Sequence, residues 1–358
     1  MKVKLENVCE KASSNLKQSD IANKTGRYPV YGAAGYIGNV DFYHQEKSYV
    51  AIVKDGAGIG RTTLLPAQSS IIGTMQYLLP KDNVLPEYLY YVVQHMHLEK
   101  YFTGATIPHI YFKDYKNEQF NLDSIEKQKE IVEVLRKLES IISKHKKELQ
   151  NLDKLVKSRF IELFEDISDD EKKTMADICT IITDGTHQPP KFVSEGIPFL
   201  FVSNIVTNEI SYDTQKFISE ETYAELIKRT PIEIGDVLLS TVGSYGHPAV
   251  VKKEKPFCFQ RHIAYLKPNA DMVDSEYLRG AILSADVQRQ IDEGVKGIAQ
   301  KTLNLSEIRK IKLPLPSIDR QKQFAAFVAQ TDKSKLAVEK SLKQLEILKK
   351  SLMKQYFG

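Results

Sequence analysis

Cysteine is scarce in this chain, and its scarcity excludes two architectures. Only Cys9, Cys179 and Cys258 occur among 358 residues. That is too few and too scattered for a disulfide framework, and it fits a reducing compartment. None belongs to a CxxC pair, so no zinc site is expected. Cys9 and Cys179 read as small buried apolar residues. Long apolar runs are also missing. No stretch approaches the roughly 20 residues needed to span a bilayer, and the N-terminus MKVKLENVCEK lacks the apolar core of a secretory signal. A cytoplasmic protein with no membrane partner is expected. Nor is there a strong charge of one sign: 50 Lys and Arg face 46 Asp and Glu, for a net +4. That balance permits contact with a polyanion without demanding it.

Catalytic signatures are missing as well. The GxxxxGK[ST] phosphate loop is absent, and so is the (D/N/S)-PP-(Y/F/W) motif with which amino-methylating enzymes hold a flipped base. QPPK (188–191) has the prolines but neither the polar residue before them nor the aromatic after. KDGAGIG (54–60) follows an apolar run and could be the glycine-rich turn of a nucleotide or S-adenosylmethionine site. The segment after it, RTTLLPAQ, is β-branched and broken by Pro66, so a turn in a β-rich domain is the stronger reading. EKK (171–173), near Asp169 and Asp170, mimics a nuclease triplet but sits in a solvated charge run. His95 and His97 at i and i+2 point apart on a helix and do not suit a shared metal. No cofactor, no metal and no catalytic residue is expected.

What is present is a repeat. LDSIEKQKEIVEVL (122–135) returns as LPSIDRQKQFAAFV (315–328). The 193-residue shift that carries Ser124 to Ser317 pairs, without gaps, Gly104 with Gly297, Gln128 with Gln321 and Leu149 with Leu342. It also pairs Leu155 with Leu348, Ser158 with Ser351 and Phe164 with Phe357. A register held over about sixty residues marks a duplication. Both copies read as long helices. Ser124 and Ser317 stand at the N-cap, with Glu126 and Asp319 in the first turn. From Ile125 the seam runs Gln128, Val132, Leu135, Leu138, Ile142, His145, Leu149, Leu152, Val156 in steps of three and four, the period of a coiled coil. The second helix shows Val338, Leu342, Leu345, Leu348, Leu352 and Tyr356. A stripe of about 40 residues is some 60 Å long, more than one small domain covers, so the two stripes are expected to cover each other.

Residues 1–121 and 174–313 have a different character and hold most of the Gly, Pro, Tyr and Phe. SYVAIV (48–53), SIIGTMQYLL (70–79), IPFLFVSNI (197–205) and GDVLLSTV (235–242) read as strands. PEYLYYVVQHM (86–96) and SEYLRGAILSADVQRQI (275–291) read as helices. The two regions align loosely, with Cys9 opposite Cys179 and Gly60 opposite Gly246. The order is a first domain at 1–121, a long helix at 122–165, a linker at 166–173, a second domain at 174–313 and a second long helix at 314–358. The fold class is α+β: two β-rich α/β domains separated by two long helices that form an antiparallel coiled coil, with pseudo-two-fold symmetry.

This pattern resembles the specificity subunit of type I restriction–modification systems. LPSIDRQKQFAAFVAQTDKSK (315–335) is similar to the opening of that family's second helix. ITDGTHQPPKFVSEGIPFLFVSNI (182–205) and GRYPVYGAAGYIG (26–38) are similar to the openings of two versions of its target-recognition domain. The likeness spans essentially the whole chain. It implies a DNA-sequence-recognition subunit whose two target-recognition domains each read one half of a split, asymmetric site in double-stranded DNA, with a fixed unspecified gap between the halves. It also implies that the helices dock two methyltransferase subunits, that motor–nuclease subunits join them, and that catalysis belongs to those partners. A DNA-modifying enzyme, a methyltransferase or nuclease with its own site, is the alternative reading.

The DNA-contact candidates come from base and phosphate chemistry. Arg or Lys suits guanine, Asn or Gln suits adenine, small or apolar groups suit the thymine methyl, and hydroxyls and cations suit phosphate. In the first domain they are Arg27, Tyr28, Tyr31, Tyr36, Lys54, Arg61 and Thr62, with His109 and Lys113 on the approach to the helix. In the second they are Thr186, His187, Gln188, Lys191, Ser203, Asn204, Ser244, Tyr245, His247, Arg261 and Lys301.

Overall fold

A computed structural model describes residues 1–22, 24–104, 108–168, 171–297 and 301–358. Asp169 and Asp170 of the nuclease-like triplet lie outside the described residues. Two helices of 40 residues each dominate the chain, Ile125–Phe164 and Ile318–Phe357. Ser124 caps the first through a hydrogen bond from Lys127 N to its Oγ at 3.3 Å. The chain divides into two compact units, Met1–Lys146 with Glu339–Gly358, and Lys147–Val338. Each unit therefore takes part of both long helices.

In the first unit the strands are β1 (Lys2–Lys4), β2 (Cys9–Ser13), β3 (Tyr28–Gly32), β4 (Gly35–Val40), β5 (Tyr49–Val53), β6 (Thr62–Leu65), β7 (Ser70–Ile71), β8 (Met75–Pro80) and β9 (Gln119–Asn121). They form sheets ordered β2-β8-β5-β6, β4-β3-β7 and β1-β9. Within them β3 pairs antiparallel with β4 and parallel with β7. The second unit has β10 (Lys172–Thr174), β11 (Cys179–Asp184), β12 (Ile197–Leu200), β13 (Phe217–Ile218), β14 (Val237–Ser240), β15 (Pro248–Val250), β16 (Cys258–Phe259), β17 (Ile263–Pro268) and β18 (Lys312–Pro314). Its sheets are β11-β17-β14-β15, β13-β12-β16 and β10-β18, and β12 again pairs antiparallel with one neighbour and parallel with the other. The loose sequence alignment of the two domains is thus a shared topology.

The long helices run antiparallel in both units. In the first, His145 Nε2 lies 3.1 Å from Ser341 Oγ, Lys146 pairs with Glu346 at 3.1 Å, and Lys349 pairs with Glu139 at 2.7 Å. In the second, Lys335 pairs with Asp153, Phe160 packs edge-on against Phe324 with centroids 5.4 Å apart, and Arg320 pairs with Asp166 at 2.9 Å. As the number rises on one helix it falls on the other. Leu348 departs from the expected seam. It is 48% exposed, and the seam passes instead through the stem of Lys349. SEYLRGAILSADVQRQI is likewise two helices, Ser275–Ile282 and Ala285–Gly294. Ser284 breaks the run by capping the second piece, accepting from Val287 N through its Oγ. SIIGTMQYLL splits into β7 and β8, and IPFLFVSNI leaves the strand after Leu200.

Gln128, read from periodicity as a seam position, and its repeat partner Gln321 do something more specific. Both are fully buried. Gln128 Oε1 accepts from Leu85 N at 2.9 Å, and its Nε2 donates to Asn83 O at 3.0 Å and Asp123 O at 2.9 Å. Gln321 Oε1 accepts from Asp274 N at 2.8 Å, and its Nε2 donates to Met272 O at 3.0 Å and Pro316 O at 2.8 Å. Each glutamine therefore clamps the start of a domain helix, Pro86–His95 or Ser275–Ile282, to a long helix. Beside each clamp a tyrosine packs edge-on against a phenylalanine that ends a long helix. Tyr88 meets Phe357 at 5.2 Å and Tyr277 meets Phe164 at 4.9 Å, between centroids. The tyrosine hydroxyls donate to Asn121 O and Pro314 O. Phe164 and Phe357 are themselves partners in the repeat, as are Asn121 and Pro314.

Candidate nucleic-acid interface

Each unit carries a groove beside its four-stranded sheet, at an equivalent place. In the first it measures about 580 Å³ and is lined by Lys11, Lys54, Asp55, Tyr111, Lys113 and Lys116, among others. In the second it measures about 410 Å³ and is lined by Asp184, Val242, Arg261, His262, Thr302 and Asn304, among others. The loop that borders each groove is built by the same backbone bonds. Gly60 N donates to Val53 O, and Gly246 N donates to Ser240 O, both at 2.9 Å. These glycines have φ of +78° and +81°, a region that disfavours side chains. Their alignment in the sequence is therefore a backbone requirement met twice. KDGAGIG is a turn that leads into β6 rather than into a helix of its own.

In the first unit the structure brings Lys54, His109 and Lys113 together. Asp55 accepts from Lys54 Nζ at 2.8 Å and from His109 Nδ1 at 2.6 Å. The His109 ring stacks on Tyr111 at 6.3 Å, and Lys113 Nζ sits 5.4 Å from the Tyr111 centroid on that same side chain. A second group lies at the β3–β4 turn. Arg61 Nη1 donates to Ala33 O at 3.0 Å, which ties the exposed arginine to the turn between Tyr31 and Tyr36. Tyr36 is 61% exposed. Tyr31 packs onto the cluster of Tyr49, Val53 and Ile71, and Tyr28 meets Tyr43 edge-on at 4.9 Å. Arg27 is exposed, and Thr62 is half-buried with its Oγ1 donating to Gly60 O.

In the second unit Thr186 and Arg261 are joined by a bond from Arg261 N to Thr186 O at 3.0 Å. The adjoining His187, Gln188 and Lys191 are exposed. Tyr245 OH donates to Asp292 at 2.9 Å, and Lys301 Nζ sits 6.0 Å from the Tyr245 ring, beside the exposed Ser244. His247 Nδ1 lies 3.2 Å from Asn208 Oδ1, and burial holds its pKa below the usual histidine value. Ser203 is exposed, but its neighbour Asn204 has to be withdrawn as a base reader. Asn204 is 6% exposed and its amide is fully engaged at home. Its Oδ1 accepts from Phe201 N, and its Nδ2 donates to Ser211 O and Asp213 O.

Four groups at these sites escaped the sequence reading: Asp55, Tyr111, Asp184 and Arg229. Asp184 lies in ITDGTH, which was singled out as a phrase but not for this residue. It pairs with His187 at 2.9 Å and with Arg229, which comes from outside any motif. The helix that begins at Pro86 ends at His95, and His97, beyond it, has a left-handed φ of +51°. Among the described residues no group of three or more His, Cys, Asp or Glu is placed to hold a metal, and no helix is long and apolar enough to cross a membrane. All three cysteines are buried, and burial pushes each thiol up to about 12.

Comparison with known proteins gives these features a context. A family model described as the type I restriction modification DNA specificity domain matches residues 1–154 and again 167–347. A type I restriction enzyme MjaVIII specificity subunit from Methanocaldococcus jannaschii is 21% identical over 328 residues, 85% of this chain and 77% of that protein. The crystal structure of a type I restriction–modification S subunit from M. genitalium superposes with a TM-score of 0.63 at 16% identity, covering 100% of this chain and 96% of that one. A chain from a structure of type I system assembly and conformational transition superposes with a TM-score of 0.57 at 14% identity, covering 99% and 97%.

Proposed function

From its membership of the type I restriction–modification DNA specificity family, to which the chain belongs by the match over both of its halves, we infer that it is the subunit that reads DNA sequence for such a system. It is not the catalyst. The alternative of a methyltransferase or nuclease with its own site finds no support in these likenesses. DNA and the methyltransferase and restriction subunits of the complex are its partners.

The finer reading is that the site is split and asymmetric, one half per unit. The observation that carries it is a single topology built twice, with grooves in the same place but lined by different side chains. The first lining is lysine-rich, and the second sets Arg261 and His262 beside Asp184, Asn304 and several hydroxyl and apolar groups. Exposed apolar side chains on the long helices, Ile141 and Ile347 in one unit and Leu155, Ile161 and Leu336 in the other, suit the docking of two methyltransferase subunits, with motor–nuclease subunits joining them in the cytoplasm. The chain alone is expected to transfer no methyl group. Incorporation of labelled methyl into DNA by the purified chain without partners would contradict this.

The helix pair sets the length of the unread gap in this account. One added turn near Lys144–Lys147, with the seam preserved, adds roughly 5 Å against a rise of about 3.4 Å per base pair. The gap is expected to grow by one or two base pairs with both half-sites unchanged. An unchanged gap would mean that the helices are not the ruler. Binding is expected to weaken steeply with salt, because phosphate contacts release counterions. Arg61→Ala and Lys191→Ala are expected to weaken it, as measured by titration of the complex with duplex DNA.

A further inference from the structure

The two units build one loop twice and fill it with different chemistry. After β5 and after β14, Lys54 N and Thr241 N donate to Thr74 O and His262 O at 3.0 and 2.9 Å. The carbonyls of the same two residues accept from Ile110 N and Leu303 N at 3.0 and 2.8 Å. The next residue in each unit bridges to a short returning segment, Asp55 to His109 and Val242 to Thr302. Equivalent backbone thus presents Lys54, Asp55 and His109 in one unit, and Thr241, Val242 and Thr302 in the other. Lys54 and Asp55 line the first groove, and Val242 and Thr302 line the second.

The first set is a donor beside an acceptor. Lys54 and Asp55 are 2.8 Å apart and keep 29% and 24% of their side-chain surface exposed. A carboxylate facing DNA is repelled by phosphate unless its charge is offset, and here Lys54 and His109 flank it. The major-groove edge of a G·C pair offers acceptors on guanine beside an amino donor on cytosine, which Lys and Asp complement. The second set offers methyl groups at the same backbone position, which suit the C5-methyl of thymine.

We propose that this loop position reads one base pair in each half-site: G·C through Lys54 and Asp55 in the first unit, and A·T, through the thymine methyl against Val242 and Thr302, in the second. The proposal rests on the DNA-reading function above and names the residues that make the two half-sites differ.

The test is selection of bound duplexes from a random-sequence library by the chain co-purified with its methyltransferase partners. Three versions are compared with the parent: Lys54→Thr with Asp55→Val, Asp55→Asn alone, and Val242→Asp. A bidentate contact discriminates by about tenfold or more. The first double variant is expected to lose a G·C preference of that size at one position of one half-site. Asp55→Asn, which keeps the side chain's shape and protects the test against misfolding, is expected to lower the same preference and raise that for A·T. Val242→Asp is expected to alter only the other half-site. Selection of unchanged half-sites by the Asp55 variants, or changes in both half-sites from one substitution, overturns the proposal. A parent complex that enriches no sequence at all refutes the DNA-reading function itself, which is a different failure.

Discussion

Replacing Gln128 with alanine removes three hydrogen bonds from a site with no exposed surface. The amide accepts from Leu85 N and donates to two carbonyls, Asn83 O and Asp123 O. A net hydrogen bond contributes about 1 kcal/mol, and a buried partner left unsatisfied costs about 1–3 kcal/mol. Water entering the vacated space recovers part of the loss, so roughly 3 kcal/mol is the expected cost. For a unit of about 150–250 residues, each kcal/mol lowers Tm by about 2–4 °C, which gives a fall of about 6–12 °C. Gln321→Ala should cost the same within about 1 kcal/mol, because its three contacts match one for one. Thermal and urea unfolding of the purified variants measure both. A cost below about 1 kcal/mol at both positions, or a large cost at only one, would refute the reading of these glutamines as equivalent clamps.

Other perturbations follow from the same packing. A Cβ at Gly280 would lie 2.7 Å from Phe324 Cε1 and 3.0 Å from Phe160 Cδ2, so Gly280→Ala should overpack this aromatic cluster and cost about 1–3 kcal/mol in urea unfolding. Burial lowers the pKa of His44, His95, His247 and His262. The unfolded chain therefore binds more protons below pH 6.5, and stability should fall as pH drops through that value. Tm measured from pH 7.5 to 5.5 checks the sign, and His247→Gln with His262→Gln should shrink the drop. With all three thiols buried and pushed up to about 12, the folded chain should resist a thiol-specific reagent that labels all three after denaturation.

The long helices were legible because their signal is local and repeated: a serine cap, an acidic first turn and apolar steps of three and four. Where the reading slipped, side chains outside the window decided the outcome. Leu348 fits the period, but Glu139 and Gln94 draw Lys349 across the seam instead. Gln128 fits a seam position, yet its partners Leu85 and Asn83 come from another element. A helix-like pattern over 275–291 hid a break at Ser284, because a serine can cap as easily as it can be carried inside a helix. Charge and hydroxyl chemistry pointed to loops that border the two grooves, but not to the pairing within them. Asp55 stands in KDGAGIG without any local signal of its partners, because His109, which pairs with it at 2.6 Å, lies 54 residues further along the chain. Asn204 was chosen for adenine chemistry, but its amide closes its own turn.

The central claim is that one chain reads two different half-sites through two copies of one fold. A map of modified bases in the host genome, with and without this gene, tests it most directly. The expected map shows one split motif of two dissimilar short halves with a fixed gap, modified only when the gene is present. A map that does not change on removal of the gene, or whose lost motif is continuous or a perfect palindrome, would contradict the account.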